Sequence, residues 1–207
     1  GSVIEPTGVM TYLGACIYAD GGIKSELNRR LGAAWSDFCK LSRLWKHTAL
    51  SRARKIQILQ AVITSRLLYS LGSAWLNVAE RCLNGFQSRC LRQLLGIKPS
   101  FLSRVSNKTI LEQAGQISYG RQLVRQQLLL FGRVARAPPT DPLRRLTFVP
   151  GSLQSATGVY VRRVGRPRNE LAVMLEKKAR KVHTNLNQIV HDELEWKKAV
   201  ADYCMCA

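Results

Sequence analysis

Tyr18-Ala19-Asp20 is the stretch whose residue types come nearest to metal-dependent chemistry. Nucleotidyl transfer uses two divalent ions about 4 Å apart, and carboxylates hold both of them. A turn with two adjacent carboxylates would suit this chemistry. Here Gly21 and Gly22 follow Asp20, so the second carboxylate is missing. Because Asp-Gly is a strong turn pair, we interpret the stretch as a turn.

The other residue types that bind metals or act as nucleophiles form no recognisable set. Cys204 and Cys206 make a Cys-x-Cys pair downstream of His183 and His191, but this spacing matches no common zinc finger or knuckle. The sequence also lacks a Gly-rich phosphate loop, a nucleophile elbow and a His-Glu-x-x-His motif. We therefore expect no catalytic residue, no metal and no cofactor.

Charge is the strongest signal in the composition. The chain has 32 basic and 13 acidic residues, a net charge of +19. The excess lies in the first four-fifths of the 207 residues, and positions 169–207 are balanced. Such a field favours a polyanionic partner with salt-dependent binding. No apolar run is long enough to predict a membrane span.

Three basic segments are candidate phosphate contacts. The first begins a predicted helix, where backbone N–H groups could share a phosphate with the side chains. The second spans a predicted helix end and the loop after it. The third surrounds a Gly-Arg-Pro core that looks like an AT-hook, although we favour backbone contact over groove reading for it. In this order, the residues are Arg52, Arg54 and Lys55; Arg89, Arg92 and Arg104; and Arg162, Arg163, Arg166 and Arg168.

Hydrophobic periodicity predicts a mainly α fold: a short N-terminal β-hairpin, then a bundle of six to seven helices. The hairpin lies within residues 3–19 and turns at Pro6-Thr7-Gly8. Capping residues set the helix ends, with Ser51 and Ser106 as N-caps and Gly96 and Gly115 as stops. The predicted helices span about residues 24–46, 51–69, 77–95, 106–115, 118–136 and 169–200, with a break near 185–187.

Composition divides the chain into four predicted parts. Residues 1–22 form the hairpin, 23–136 a helical domain, 137–168 a basic linker and 169–207 a charged helical tail. The linker begins at a proline-rich stretch, Pro138 to Pro142.

The aromatic residues help to predict the kind of partner. Trp35, Phe38, Trp45, Trp75 and Phe86 lie on apolar helical stripes, so we expect them in the core. Exposed rings that stack on bases are typical of proteins that bind single strands. Since the sequence indicates none, we expect a duplex or a folded RNA as the partner.

A series of short motifs resembles one known family. In chain order, the motifs are Tyr12-Leu13-Gly14, Asp20-Gly21, Leu44-Trp45, Leu67-Leu68-Tyr69, Phe86-Gln87-x-Arg89-Cys90-Leu91-Arg92, Leu95-Gly96-Ile97 and Gly165-Arg166-Pro167. Their order and spacing resemble the C-terminal part of the reverse transcriptases of non-LTR (LINE-type) retrotransposons. The resemblance covers roughly residues 9 to 170.

The resemblance implies a non-catalytic fragment of an RNA-directed DNA polymerase. Tyr12, Leu13 and Gly14 would shape the primer-grip hairpin, and the helices after it would form the thumb. The catalytic carboxylates of the family would lie upstream of this chain. The fragment would grip a template–primer duplex of RNA, DNA or a hybrid, or the RNA of the element. It would be intracellular, in the nucleus, in a cytoplasmic ribonucleoprotein or in an organelle.

Two other functions stay open beside this one. The chain could be a basic structural subunit of a large ribonucleoprotein or other complex, derived from such a sequence. It could also be a helical module that binds proteins and whose charge is incidental. An enzyme is the least favoured alternative, because no convergent catalytic set is present in the sequence.

Overall fold

The computed structural model describes residues 7–18, 23–47, 49–73, 79–156 and 171–206. The protein is mainly α-helical with a short N-terminal β-hairpin, which confirms the predicted fold class. The chain forms two compact units. Unit 1 comprises Gly1–Leu71 and Leu76–Gly120, and unit 2 comprises Gly72–Trp75 and Arg121–Ala207. The predicted four-part division of the chain stays a prediction beside these units.

The hairpin consists of β1 (Val9–Tyr12) and β2 (Ala15–Tyr18), paired antiparallel with Tyr12 opposite Ala15. Its turn is Leu13-Gly14, so the predicted turn at Pro6-Thr7-Gly8 is wrong. Leu13 and Gly14 have φ angles of 46° and 78°. A two-residue hairpin turn of this hand requires positive φ at both positions, and only Gly14 adopts it without steric cost. Because leucine is unusual at such a position, the sequence did not indicate the turn.

Unit 1 is built from short helices around one core. These are α1 (Lys24–Lys40), α2 (Ser42–Lys46), α3 (Arg52–Ile58), a π-helical turn (Leu59–Thr64), α4 (Ser65–Leu68), α5 (Ala79–Leu95), α6 (Ser100–Ser103) and α7 (Asn107–Ala114). A 3₁₀ turn (Leu71–Ser73) begins at the last residue before unit 2. The predicted helix over residues 24–46 is thus interrupted at Leu41. The predicted caps Ser51 and Ser106 accept the backbone N–H groups of Arg54 and Thr109.

The predicted helix stops are also confirmed. Gly96 and Gly115 have φ angles of 69° and 59°. After α5, the Ile97 N–H donates to the Arg92 carbonyl at 2.8 Å, which is the longer bond of a Schellman motif. The same arrangement follows α7.

The apolar spacing of the second predicted helix places Ile56, Leu59, Ile63, Leu67 and Tyr69 near its buried side, and four of these five side chains are buried. Ile56, Leu59, Ile63 and Leu67 are buried, but Tyr69 is exposed. The helix ends at Leu68, and the backbone leaves the helical path at Tyr69. Tyr69 therefore no longer lies on the buried stripe.

Unit 2 contains α8 (Tyr119–Arg136), whose first two residues belong to unit 1, followed by α9 (Pro142–Thr147), α10 (Leu171–Val182), α11 (Leu186–Ile189) and α12 (Glu193–Cys206). The residues predicted as a basic linker include α9, which sequence analysis missed. Asp141 caps α9 by accepting the N–H groups of Leu143 and Arg144. Phe148 and Leu153 are buried in the core of unit 2, so this part of the segment is packed structure.

The break predicted near residues 185–187 is confirmed, since the chain leaves helix between α10 and α11. The predicted helix starts near residues 77 and 169 lie outside the described residues.

Candidate nucleic-acid interface

An aromatic cluster in unit 1 carries one of the predicted phosphate contacts on its outer edge. The rings of Trp35 and Phe38 stack at 5.6 Å, and those of Phe38 and Trp45 at 5.2 Å. Phe86 meets Trp35 edge-on. The guanidinium carbon of Arg89 lies 4.5 Å from the centre of the Trp35 ring. Because arginine keeps its N–H donors at the edge while its face stacks, Arg89 stays able to bind an anion.

The start of α3 lies beside the same cluster. The Lys55 ammonium donates to the backbone carbonyl of Trp45 at 2.7 Å, which fixes its position. Arg52 and Arg54 are exposed at the first turn. The structure therefore connects the first basic segment to Arg89 through Lys55 and the stacked rings.

Arg92 differs from its neighbour Arg89. Its side chain is only 8% exposed. One guanidinium nitrogen donates to the Lys98 carbonyl at 3.1 Å and to Ser103 Oγ at 3.2 Å. The other donates to the Val105 carbonyl at 2.6 Å and to Asn107 Oδ1 at 3.1 Å. A phosphate would have to displace these acceptors, so we leave Arg92 out of the interface proposed below.

Arg92 holds a segment that we call the basic loop, residues 98–108. The loop contains α6 and carries Lys98, Arg104 and Lys108, all exposed. Arg104 has a φ angle of 57°, an unusual conformation for a residue with a side chain. Phe101 and Leu102, on α6, are 72% and 60% exposed.

The hairpin tip carries the three residues predicted to lie beside a primer end. Tyr12 and Leu13 are 61% and 72% exposed. The Gly14 carbonyl accepts N–H groups from Arg29 at 3.0 Å and Arg30 at 3.1 Å, which tie the tip to α1. The tip is thus held while its side chains face solvent.

The two arginines behind the hairpin share one carboxylate partner. Glu26 accepts from Arg29 Nε at 2.7 Å and from Arg30 Nε at 2.5 Å. Burial raises the pKa of Glu26, but the hydrogen bonds and charges of the two arginines outweigh burial and hold that pKa below its ordinary value. Asp37 pairs with Arg66, and both residues line a cavity together with Arg29 and Arg30. These cations therefore serve the fold.

The third basic segment, with Arg162, Arg163, Arg166 and Arg168, lies outside the described residues, and so does Asp20. Within the described ranges, no three His, Cys, Asp or Glu side chains converge on a point where they could hold a metal. No helix in that part of the chain is long and apolar enough to cross a membrane.

Sequence reasoning missed two features of this region. Gln87 is buried and accepts the first N–H of α8, at Tyr119, at 2.7 Å while donating to the Ile117 carbonyl at 2.9 Å. The rings of Tyr12, Tyr69 and Phe101 are exposed, which contradicts the expectation that exposed rings are absent. A signal for Phe101 was available, because it follows Pro99-Ser100 and lies outside any long apolar stripe.

Comparison with known proteins returns no relative. No protein-family model matches the chain, and no curated protein or solved structure matches it either.

Proposed function

We propose that this chain binds nucleic acid without catalysis, as the thumb-and-connector part of a reverse transcriptase of the non-LTR type. The observation that carries the proposal is a set of four exposed arginines in unit 1. Arg52, Arg54, Arg89 and Arg104 have no ion-pair partner among the described residues. An arginine without a carboxylate keeps most of its N–H donors available for phosphate. Arg54 is the partial exception, because one of its guanidinium nitrogens donates to Gln57 Oε1 at 3.1 Å.

The placement of these arginines supports the proposal as much as their number. Arg89 is oriented by Trp35, and Arg52 and Arg54 stand on a capped helix start. Arg104 belongs to a loop that Arg92 holds at several points. Cations on a rigid framework lose little conformational entropy on binding, so they contribute more to affinity than mobile ones do.

The assignment to a reverse transcriptase is supported by the order of the motifs. Tyr12-Leu13-Gly14 is a hairpin tip adjoining α1, as a primer grip followed by a thumb requires. The single carboxylate at Asp20, followed by two glycines, supports a non-catalytic role.

The test is equilibrium binding of the whole chain to an RNA–DNA hybrid duplex, a DNA duplex and single-stranded RNA over a salt series. Each phosphate contact adds about 0.9 to the negative log–log slope on duplex DNA. We expect a steep slope and a preference for the hybrid duplex. Absence of binding to every ligand at low salt contradicts the proposal.

Two variants with the same net charge distinguish binding by the proposed site from attraction by the overall positive charge. The first changes Arg52, Arg54, Arg89 and Arg104 to Gln. The second changes four exposed cations that already pair with carboxylates to Gln: Lys40, Arg66, Arg180 and Lys197. We expect the first variant to lower the slope by about 3 to 4 units and the second by much less.

Equal slopes in the two variants would mean that only net charge matters. A shallow slope in the unmodified chain, together with recovery of the chain in a large ribonucleoprotein particle, would favour the structural-subunit alternative.

A further inference from the structure

The most exposed aromatic ring in unit 1 stands in the middle of a cationic loop. Phe101 projects from α6, with Leu102 beside it. Single exposed apolar residues are ordinary. Here, however, the charged residues nearest in the sequence are all positive. Lys98, Arg104 and Lys108 are the only charged residues from position 98 to position 111.

The backbone that presents Phe101 is fixed at both ends. The Arg92 guanidinium donates to the Lys98 carbonyl before α6 and to the Val105 carbonyl after it. The Arg104 N–H donates to the Ser100 carbonyl at 2.9 Å, closing α6. The ring is therefore displayed by an ordered loop, and binding to it requires little further ordering.

The charge of the loop selects the partner that could cover this ring. An apolar protein surface would leave Lys98 and Arg104 without counter-charges. The interior of a duplex offers phosphates, but its base faces are stacked on one another. An unpaired strand offers both, a free base face beside phosphates, and this combination is how proteins bind single strands.

From this geometry we propose that Phe101 is a stacking platform for an unpaired base, while Lys98 and Arg104 contact the phosphates beside it. The inference rests on the proposed nucleic-acid binding and specifies the ligand of the basic loop. It also adds an unpaired segment to the expected partner, which is a duplex or a folded RNA. A duplex with an unpaired extension would contact the exposed arginines of the proposed interface through its paired part and Phe101 through its unpaired part.

The test compares the unmodified chain with Phe101→Ala, Phe101→Leu and Phe101→Trp. The probes are a hybrid duplex with blunt ends, the same duplex with an unpaired template extension, and the extended duplex with abasic extension sugars. Phe101 is exposed, so these changes leave the core intact. Loss of one stacked base costs about 5- to 150-fold in affinity.

We expect Phe101→Ala and Phe101→Leu to weaken binding of the extended duplex by that factor and to leave the blunt and abasic probes unchanged. Phe101→Trp should retain affinity, because it keeps a ring. A 2-aminopurine base in the extension should lose fluorescence on binding to the unmodified chain and not on binding to Phe101→Ala.

Three results would overturn the inference. If Phe101→Ala binds the extended and blunt duplexes as the unmodified chain does, the ring does not stack on a base. If Phe101→Leu retains full affinity, the contact is apolar and suits a protein. Failure of the unmodified chain to bind any probe removes the proposed function as well, whereas the first two results leave it standing.

Discussion

Arg89 and Arg92 lie one turn apart on α5, but only Arg89 is exposed to solvent. Arg89 covers Trp35 from outside and keeps its donors in solvent. Arg92 turns inward and bonds acceptors that the chain supplies later, at the basic loop. Periodicity could place both on a basic helix, but it could not show which one the loop would enclose. That distinction depends on contacts between distant residues.

This contrast predicts unequal effects of the same substitution. Arg92→Gln leaves the part-buried carbonyls of Lys98 and Val105 without this donor, and an unsatisfied buried group costs about 1–3 kcal/mol. We expect the free energy of unfolding to fall by about 2–4 kcal/mol in urea denaturation. Arg89→Gln loses an exposed cation–π contact of about 0.5–1 kcal/mol and serves as the control. Equal losses in the two variants would contradict a structural role for Arg92.

Glu26 makes the stability of unit 1 depend on acid. Its folded pKa is lowered by hydrogen bonds from Arg29 and Arg30, so its stabilising contribution is complete above the unfolded value near 4.5. The contribution is lost as the pH falls through the lower, folded pKa. We expect Glu26→Gln to be less stable at neutral pH and to show a shallower loss below pH 4.5.

Urea denaturation over a pH series measures this difference. Glu112→Gln, at an exposed position on α7, removes the same charge and should keep the acid dependence of the unmodified chain. A Glu26→Gln curve parallel to that of the unmodified chain would show that other carboxylates control acid unfolding.

At the scale of elements, the sequence predicted helix ends from their capping residues, but it did not predict the hairpin turn or helix α9. Ser51, Ser106, Gly96 and Gly115 end their helices as expected, because their effects are local. The hairpin turn at Leu13-Gly14 escaped notice because leucine rarely takes a positive φ. Helix α9 escaped because proline-rich stretches indicate turns, although Asp141 followed by Pro142 is also a helix start.

Close packing of α8 against α12 predicts a penalty for a single methyl group. A Cβ atom at Gly132 would overlap Nε1 and Cδ1 of the Trp196 indole, which donates to the Leu128 carbonyl at 3.0 Å. Since the ring is fully buried, it cannot move aside. We expect Gly132→Ala to lower the free energy of unfolding by about 1–3 kcal/mol in urea denaturation.

Gly32→Ala is the matched control, because no atom lies within 4 Å of a Cβ at that helical position. It should stabilise the protein by about 0.5–1 kcal/mol. A Gly132→Ala variant as stable as this control would contradict the tight contact with Trp196.

For the whole molecule, charge was the property that composition predicted best. Unit 1 has 16 basic and 6 acidic residues, a net charge of +10, and unit 2 has 16 and 7, a net charge of +9. The excess is therefore a property of both units. What composition could not show is which cations are neutralised, since that depends on the few carboxylates and where the fold places them.

This excess predicts that salt stabilises the free protein. Glu26, Asp37, Glu176 and Glu193 pair with basic side chains, but the chain has 32 basic and only 13 acidic residues, so repulsion between cations exceeds attraction. Raising chloride concentration shortens the Debye length and screens this repulsion. We expect the Tm to rise, by about 2–4 °C for each kcal/mol gained.

The variant with Gln in place of Arg52, Arg54, Arg89 and Arg104 lowers the repulsion by removing unpaired cations, so its Tm should rise less with salt. The variant that removes Lys40, Arg66, Arg180 and Lys197 also lowers the repulsion but loses attractive pairs, so it should start from a lower Tm. A Tm that falls with chloride in the unmodified chain would mean that ion pairs outweigh repulsion. The unpaired arginines would then not lower the stability of the protein, and their exposure would no longer indicate a polyanionic partner.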